Sequence, residues 1–185
     1  MFARTQRLML RPGWIEDAPE LSRAIGHHEV VRNLGRAPWP YTLGDAERFL
    51  TMPQDARSAR FLVCALEGGF SRIVGGVGFG PYDGEPFELG YWITPDAWGR
   101  GYATEAGSAV VQIARALRIP RLAAGHYIDN PASGHVLRKL GFRPTGRVVP
   151  RYSHGRGGEV QCVEYEQRLD GSGADSDPCD DRMAA

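Results

Sequence analysis

The sequence has few cysteines, no long apolar run and no net charge, and each absence excludes a class of protein. Its three cysteines, Cys64, Cys162 and Cys179, have neither the paired spacing of a zinc site nor that of a disulfide framework. No apolar stretch approaches the roughly 20 residues that span a bilayer, and the first residues lack the apolar segment of a signal peptide. We therefore expect a cytoplasmic protein with reduced thiols and no membrane segment.

The charges are unevenly distributed although they sum to zero. Residues 170–185 contain five aspartates and one arginine, so residues 1–169 carry a net charge of about +4. This modest excess suits an anionic small molecule, whereas nucleic-acid binding needs a concentrated basic stripe. At 185 residues we expect one domain over residues 1–169, followed by an acidic, mobile tail at 170–185.

Hydrophobic periodicity predicts a mixed α/β domain around one sheet. The predicted strands cover residues 5–11, 60–66, 73–79, 87–94, 121–127, 143–152 and 160–169. The predicted helices cover residues 15–25, 43–52, 102–117 and 131–140. A Gly68-Gly69 turn joins the second and third strands. We place His27 and His28 on the first helix, where they lack ligand-spaced partners, so no metal site is expected.

The segment between the fourth strand and the third helix is rich in glycine. We call residues 98–104 the glycine loop. A helix start exposes unpaired backbone N–H groups and the positive end of the helix dipole, so such a loop can bind an anion such as phosphate. Gly99 and Gly101 permit close backbone approach, and Arg100 adds a charge. On these residues alone, an ordinary strand-to-helix turn remains an alternative.

Two blocks around this loop resemble the GNAT (GCN5-related N-acetyltransferase) superfamily, specifically its RimJ/RimL-like branch. The first block reads ELGYWI at residues 88–93 and YATEA at 102–106, and it is similar to the acetyl-coenzyme A motif. The second reads DNPASGHVLRKLGF at residues 129–142. Gly101 and Ala103 match the superfamily pattern, whereas Trp98 stands where Gln or Arg is usual. Weaker similarity extends from the first strand to about residue 169.

The resemblance implies the GNAT fold, an α/β (α+β) domain with acetyl-coenzyme A as its cofactor. The fold has a single mixed, mostly antiparallel sheet of about seven strands, flanked by about four helices. The sheet would splay between the strands at 87–94 and 121–127, where the pantetheine arm would pair with backbone near Trp92, Ile93 and Thr94. Asn130 would hydrogen-bond that arm, although an Asn before proline also favours a simple turn. The pyrophosphate would lie on the glycine loop, at Trp98, Gly99, Arg100, Gly101, Tyr102, Ala103 and Thr104.

The reaction implied is direct attack of a primary amine on a thioester, without a covalent enzyme intermediate. It needs a neutral amine, a stabilised oxyanion and a proton for the leaving thiolate. Ser133 matches a family position near the sulfur and is our candidate for the proton, the alternative being a local helix cap. Glu88 is the best-placed carboxylate to take the amine's proton, the alternative being a solvated or salt-bridged strand residue.

The acceptor is less specified than the donor. The resemblance favours a protein N-terminal α-amine, with a small amine, an amino acid or an antibiotic as alternatives. A second hypothesis is a coenzyme A-binding sensor or scaffold without turnover. We expect a monomer or homodimer. The candidate acceptor residues, whose alternatives are aromatic cover of the core and a polar hairpin tip, are Trp39, Tyr41, Glu88, Tyr152, His154 and Glu159.

Overall fold

The computed structural model describes residues 1–67 and 70–170. The predicted Gly68-Gly69 turn, Cys179 and the acidic segment beyond Asp170 lie outside these residues. Among the residues described, no helix is both long enough and apolar enough to cross a bilayer.

The described chain forms one eight-stranded sheet and five α-helices. The strands are β1 (Ala3–Arg4), β2 (Leu8–Arg11), β3 (Ala59–Glu67), β4 (Phe70–Tyr82), β5 (Glu85–Ile93), β6 (Arg121–Tyr127), β7 (Arg143–Ser153) and β8 (Gly158–Arg168). The helices are α1 (Ala18–Ile25), α2 (His28–Val31), α3 (Leu43–Thr51), α4 (Tyr102–Ala116) and α5 (Pro131–Lys139). The strand order is β1-β2-β3-β4-β5-β6-β8-β7, and β5 with β6 is the parallel pair among antiparallel ones.

The mixed α/β sheet predicted from periodicity is confirmed, with local differences. The first predicted strand, residues 5–11, begins later than expected, because residues 5–7 form a turn in which the Thr5 N–H donates to the Leu8 carbonyl. This turn connects β2 to a short strand before it, β1, which brings the number of strands to eight. His27 and His28 are not on the first helix, a prediction that was wrong. Helix α1 ends where the Gly26 N–H donates to the Ser22 carbonyl. His28 begins α2, whose four residues are too few to show a helical period of apolar side chains.

Apolar side chains are buried on both faces of the sheet. One face packs against α4 and α5 through residues such as Leu89, Val110 and Leu137. The other packs against α1 and α3 and includes Leu62 and Cys64. Cys64 and Cys162 are both free, buried thiols.

The middle of the sheet is open. β5 and β6 pair at two positions only, Glu88 with Ala123 and Leu89 with Ala124. We call the gap beyond these pairs the cleft. Because the carboxyl ends of parallel strands lie at the same edge of a sheet, α4, which follows β5, and α5, which follows β6, both begin beside the cleft.

Candidate active site

The glycine loop forms the N-terminus of α4 as predicted. Gly99 and Gly101 have φ of 74° and 78°, in the left-handed region that favours glycine, and Gly101 is the N-cap of α4. A Cβ added to Gly99 would meet nothing within 4 Å, so the loop is open on that side. The first N–H groups of the 15-residue α4 have no acceptor within the helix. These residues therefore fit a phosphate-bearing cofactor.

Trp98 fixes the loop to the end of β5. Its indole Nε1 donates to the Ile93 carbonyl at 2.7 Å, while about half of the residue, 51%, is exposed. The side chain of Trp98 therefore holds the loop against the end of β5.

Backbone parity decides which residues of β5 face the cleft. The Thr94 N–H donates to the Val74 carbonyl at 2.8 Å, and Trp92 pairs with Gly76, so both are directed toward β4. Alternate residues of a strand present their N–H and C=O groups to opposite sides. Tyr91 and Ile93 therefore face the cleft. Of the three residues expected there, Ile93 remains through its N–H, since its carbonyl already accepts from Trp98 Nε1. Trp92 and Thr94 are directed toward β4 instead.

Ser133 lies in the first turn of α5 and contacts β5. The Tyr91 hydroxyl is 2.8 Å from the Ser133 carbonyl, to which it donates, and 2.7 Å from Ser133 Oγ. Burial raises the pKa of Tyr91 to about 12, so it is protonated at neutral pH. Asn130 is the N-cap of α5 and accepts a long bond, 3.4 Å, from the Ser133 N–H. This cap occupies Asn130 Oδ1 and leaves its role toward a ligand to the amide nitrogen.

Glu88 lies on the other face of β5, in a buried group of charges. Arg151, on β7, is 6% exposed, and its Nη1 is 2.7 Å from Glu88 Oε1. The same guanidinium approaches Glu164 at 3.1 Å and Asp83 at 3.2 Å. We call these four residues the Arg151 cluster. Arg147 also pairs with Glu164, at 2.8 Å, so three carboxylates face two arginines and one net negative charge remains to attract a cation.

One oxygen of Glu88 has no partner among the described residues. Glu88 Oε2 is buried and accepts no hydrogen bond from the described residues, and the whole side chain is only 10% exposed. Burial raises the pKa of Glu88 above its ordinary value of 4.5, against the opposing attraction of Arg151. A carboxylate of this kind is a stronger base than one in water. Glu88 is therefore salt-bridged to Arg151 through Oε1, whereas Oε2 is not engaged in that ion pair.

The two candidate catalytic groups approach the sheet from opposite faces. Side chains alternate along β5, so Tyr91, bonded to Ser133, and Glu88 point in opposite directions. We call the side that carries Glu88 and Arg151 the acceptor face. Tyr82 also lies there, beneath Arg36, whose guanidinium carbon is 4.7 Å from its ring centre.

The segment after α2 is fastened to the β7–β8 hairpin. Ser153 Oγ donates to the Leu34 carbonyl at 3.2 Å, and the His154 N–H donates to the Gly35 carbonyl at 3.0 Å. Arg156 completes the link, because it donates to the Arg32 carbonyl and forms an ion pair with Asp129 at 2.7 Å. This segment therefore walls one side of the acceptor face.

The predicted acceptor residues are divided by the fold. Trp39 is 44% exposed and stacks edge-on against His28, with ring centres 5.2 Å apart. Tyr41 instead packs against the core beside α1 and α3, and burial raises its pKa to about 12.

The hairpin residues are divided as well. The Tyr152 and His154 rings lie 5.1 Å apart. Glu159 is exposed and pairs with Tyr152, one position along from Arg151. By strand alternation it points away from the face that carries Glu88.

Two residues at this site were not predicted, Tyr91 and Arg151. Alternation along β5 already placed Tyr91 with Leu89 and Ile93, so its orientation could have been read from the sequence. Arg151 pairs with residues from three other parts of the chain, and no local pattern reveals such a cluster. Within residues 1–67 and 70–170, no group of His, Cys, Asp or Glu could hold a metal ion.

Comparison with known proteins identifies the family. A family model for the acetyltransferase (GNAT) domain matches residues 7–143. YoaA of Bacillus subtilis, an uncharacterized N-acetyltransferase, is 29% identical over 159 residues, which cover 83% of this chain and 88% of YoaA.

Solved structures share the fold. A GNAT-family acetyltransferase from Bacillus anthracis aligns with a TM-score of 0.76 and 24% identity over 91% of this chain and 99% of its own. RimL, a ribosomal L7/L12 alpha-N-protein acetyltransferase in complex with coenzyme A, aligns with a TM-score of 0.75 and 19% identity over 92% of this chain and 99% of its own.

The Arg151 cluster generates a stability prediction. Removing one partner of a buried ion pair costs about 3–5 kcal/mol, so Arg151→Met should lower the free energy of unfolding by about this amount at pH 7. Glu88→Gln in the Arg151→Met background should restore part of the loss, since it removes an uncompensated charge. The loss should also shrink as the pH falls toward the raised pKa of Glu88, because the protonated carboxyl is neutral.

Urea denaturation of the two single variants and the double variant measures this coupling. The matched control is Arg147→Met, because Arg147 pairs with the same Glu164 but is 65% exposed, and it should change stability by less than about 1 kcal/mol. Equal losses in the Arg151 and Arg147 variants, or additive effects of Arg151→Met and Glu88→Gln, would contradict the analysis.

Proposed function

The chain belongs to the acetyltransferase (GNAT) family, and we propose that it moves an acetyl group from acetyl-coenzyme A to a primary amine, with a protein N-terminal α-amine as the acceptor. The observation that carries the proposal is the opened sheet. β5 and β6 separate after two paired positions, with the glycine loop beside one strand end and the Arg151 cluster on one face. We also propose that residues 1–169 form the catalytic domain and that the enzyme is cytoplasmic.

Acetyl-coenzyme A, the acetyl donor, is held mainly by backbone N–H and C=O groups. The N–H groups of the glycine loop bind the pyrophosphate at the start of α4, where the helix dipole favours negative charge. Tyr91 and Ile93 present backbone groups to the pantetheine arm, and the Asn130 amide nitrogen donates to it. Bound acetyl-coenzyme A supplies the activated carbonyl and the thiolate leaving group. A cleft-facing N–H of β5 stabilises the charge that develops on the carbonyl oxygen.

Glu88 accepts the proton that the amine loses, and Ser133 donates the proton that the leaving thiolate gains. The amine approaches from the acceptor face, where Glu88 Oε2 accepts its proton directly or through one water. Arg151 holds the other oxygen, Oε1, and so fixes the direction of the free one. Ser133, whose Oγ is 2.7 Å from the Tyr91 hydroxyl, donates a proton to the departing thiolate from the α5 side, and solvent water then returns a proton to the serine oxygen.

An N-terminal α-amine suits this face chemically. Its pKa is about 7.7, against about 10.4 for lysine, so about one sixth of it is already the neutral nucleophile at pH 7, against less than about one thousandth of a lysine side chain. The negative Arg151 cluster attracts the remaining ammonium form. The exposed Trp39 belongs to the segment after α2 that walls this face, where a peptide following the amine could contact it. Tyr152, next to Arg151 on β7, points away from this face. A small amine, amino acid or antibiotic is the alternative acceptor.

The proposal is tested by an acceptor panel. Peptides with free N-termini, the same peptides blocked at the N-terminus but containing lysine, amino acids, small amines and an aminoglycoside are each mixed with acetyl-coenzyme A. Free thiol release and the mass of the product are then measured. Release with free peptides alone supports the proposed acceptor. Release with small molecules alone supports the alternative, and cofactor binding without any release supports a sensor or scaffold.

The glycine loop gives a prediction about cofactor binding. Gly99→Ala should cost about 1–2 kcal/mol of stability, because its φ of 74° is unfavourable for alanine. The added methyl group also occupies the open side of the loop. We expect the stabilisation by coenzyme A to fall from about 2.7 kcal/mol, at 100 times the dissociation constant, to about 1.4 kcal/mol or less.

Thermal and chemical denaturation with and without coenzyme A measures this effect. Gly146→Ala is the matched control, because Gly146 has φ of 82° and also no atom within 4 Å of an added Cβ, yet it lies on β7. It should lose similar stability and keep full stabilisation by coenzyme A. Equal stabilisation in both variants would place the pyrophosphate elsewhere.

Glu88 gives a prediction about pH. Both the acceptor amine, with a pKa of about 7.7, and a general base must be deprotonated, so kcat/KM should fall twice at acid pH. The first fall follows the amine, and the second lies around an apparent pKa above 4.5, the ordinary value for glutamate. Arg151→Met removes the charge that opposes this rise, so the second limb should move to higher pH. Glu88→Gln should remove the second limb, leave that of the amine, and lower kcat by about 100-fold or more.

The measurement is kcat and kcat/KM from steady-state rates between about pH 5 and 9. Glu47→Gln, the same change at an exposed position on α3, should leave the profile unchanged. A second acid limb that survives in Glu88→Gln would remove Glu88 from the mechanism.

A further inference from the structure

We infer that Arg7, in the turn between β1 and β2, is a positioning residue for the phosphate-binding glycine loop, acting through the peptide between Arg100 and Gly101. The inference rests on the proposed donor site and adds to it a residue from a distant part of the chain. Arg7 is 98 residues away from Glu105, the residue on α4 that holds it.

Glu105 fixes Arg7 from the first turn of α4. Its Oε2 accepts from Arg7 Nε at 2.8 Å and lies 2.6 Å from Nη2, a two-pronged contact. Its Oε1 accepts from the Arg7 backbone N–H at 2.9 Å and from Thr5 Oγ1 at 2.6 Å. The carboxylate therefore binds both the backbone and the guanidinium of one turn. It is only 16% exposed, so these contacts are partly shielded from water.

The remaining edge of the guanidinium is directed at the glycine loop. Arg7 Nη1 donates to the Arg100 carbonyl at 2.9 Å. The guanidinium carbon lies 4.9 Å from the centre of the Tyr102 ring, and Nη2 is 3.6 Å from the place of a Cβ on Gly101. Arg7 thus contacts Arg100 and Tyr102 and lies beside Gly101 between them, at the start of α4.

The contact with the Arg100 carbonyl sets the direction of the next N–H. A trans peptide is planar, so its C=O and N–H groups point in opposite directions. With the Arg100 carbonyl held toward Arg7, the Gly101 N–H points away from Arg7. Gly101, at φ of 78°, has no side chain to restrict this peptide, so an external contact is needed to fix it. Arg7 therefore orders an N–H group that binds phosphate.

Charge alone would predict a different role. Arg7 and Glu105 neutralise one another, so the pair adds little net field at the loop. If the field were what mattered, Glu105→Gln would tighten binding of an anion, because it removes a negative charge from the first turn of α4. If positioning is what matters, the same change weakens binding, because it releases the guanidinium. The two explanations predict effects of opposite sign.

Isothermal titration calorimetry with coenzyme A distinguishes them. We expect the dissociation constant to rise about tenfold or more in Arg7→Ala. Arg7→Lys should not restore it, because an ammonium cannot make the two-pronged contact and reach the Arg100 carbonyl together. Glu105→Gln should weaken binding several-fold, about threefold or more. Arg4→Ala, at an exposed arginine on β1, should leave binding within about twofold.

The controls separate this inference from the donor site itself. Urea denaturation of each free variant reports folding, and if Arg7→Ala does not fold, Arg7→Lys and Glu105→Gln decide the question. Wild-type affinity in Arg7→Lys, or tighter binding in Glu105→Gln, would overturn the positioning role while the donor site stands. Absence of coenzyme A binding by the wild-type protein would overturn the donor site and the inference with it.

Discussion

The short parallel pairing of β5 with β6 is the constraint on which the rest of the site depends. Two paired positions keep the halves of the sheet together, and the strands diverge beyond them. Because the strands are parallel, the helices that follow them begin at the same edge. The start of α4 supplies the glycine loop, and the start of α5 supplies Asn130 and Ser133. Longer pairing would close the cleft, and antiparallel pairing would send the two helix starts to opposite edges.

A buried charge cluster spans the same gap on the acceptor face. Arg151, on β7, reaches Glu88 on β5, Glu164 on β8 and Asp83 in the β4–β5 turn. Burying these charges costs desolvation energy, so the cluster adds little stability compared with apolar side chains of similar volume. Its main effect is to orient the side chain of Glu88. It fixes one oxygen of Glu88 and leaves the other free. At the start of α4, Arg7 and Glu105 similarly hold the peptide between Arg100 and Gly101. Both pairs join segments that are distant in the sequence.

The sequence was informative where structure is local. The period of apolar residues defined β6 at its observed bounds and α4 within one residue, and Gly99 and Gly101 marked the start of α4 because positive φ requires glycine there. Contacts between distant segments left no local pattern. Arg151 looked like one more arginine on a hairpin, and Arg7 like an exposed strand residue. Glu159, chosen for its charge near a hairpin tip, faces away from Glu88 because strand alternation, not proximity in sequence, decides which face a side chain occupies.

The central claim is that the donor's pantetheine arm takes the place of a strand beside β5, and residue-resolved amide hydrogen exchange tests it most directly. Exchange is measured with and without saturating coenzyme A. The N–H groups of Tyr91 and Ile93 face the cleft and should become protected, together with those at the start of α4. Those of Trp92 and Thr94 are directed toward β4 and should change little. Protection at α4 without any at Tyr91 and Ile93 would contradict the claim, because the arm would then lie outside the cleft.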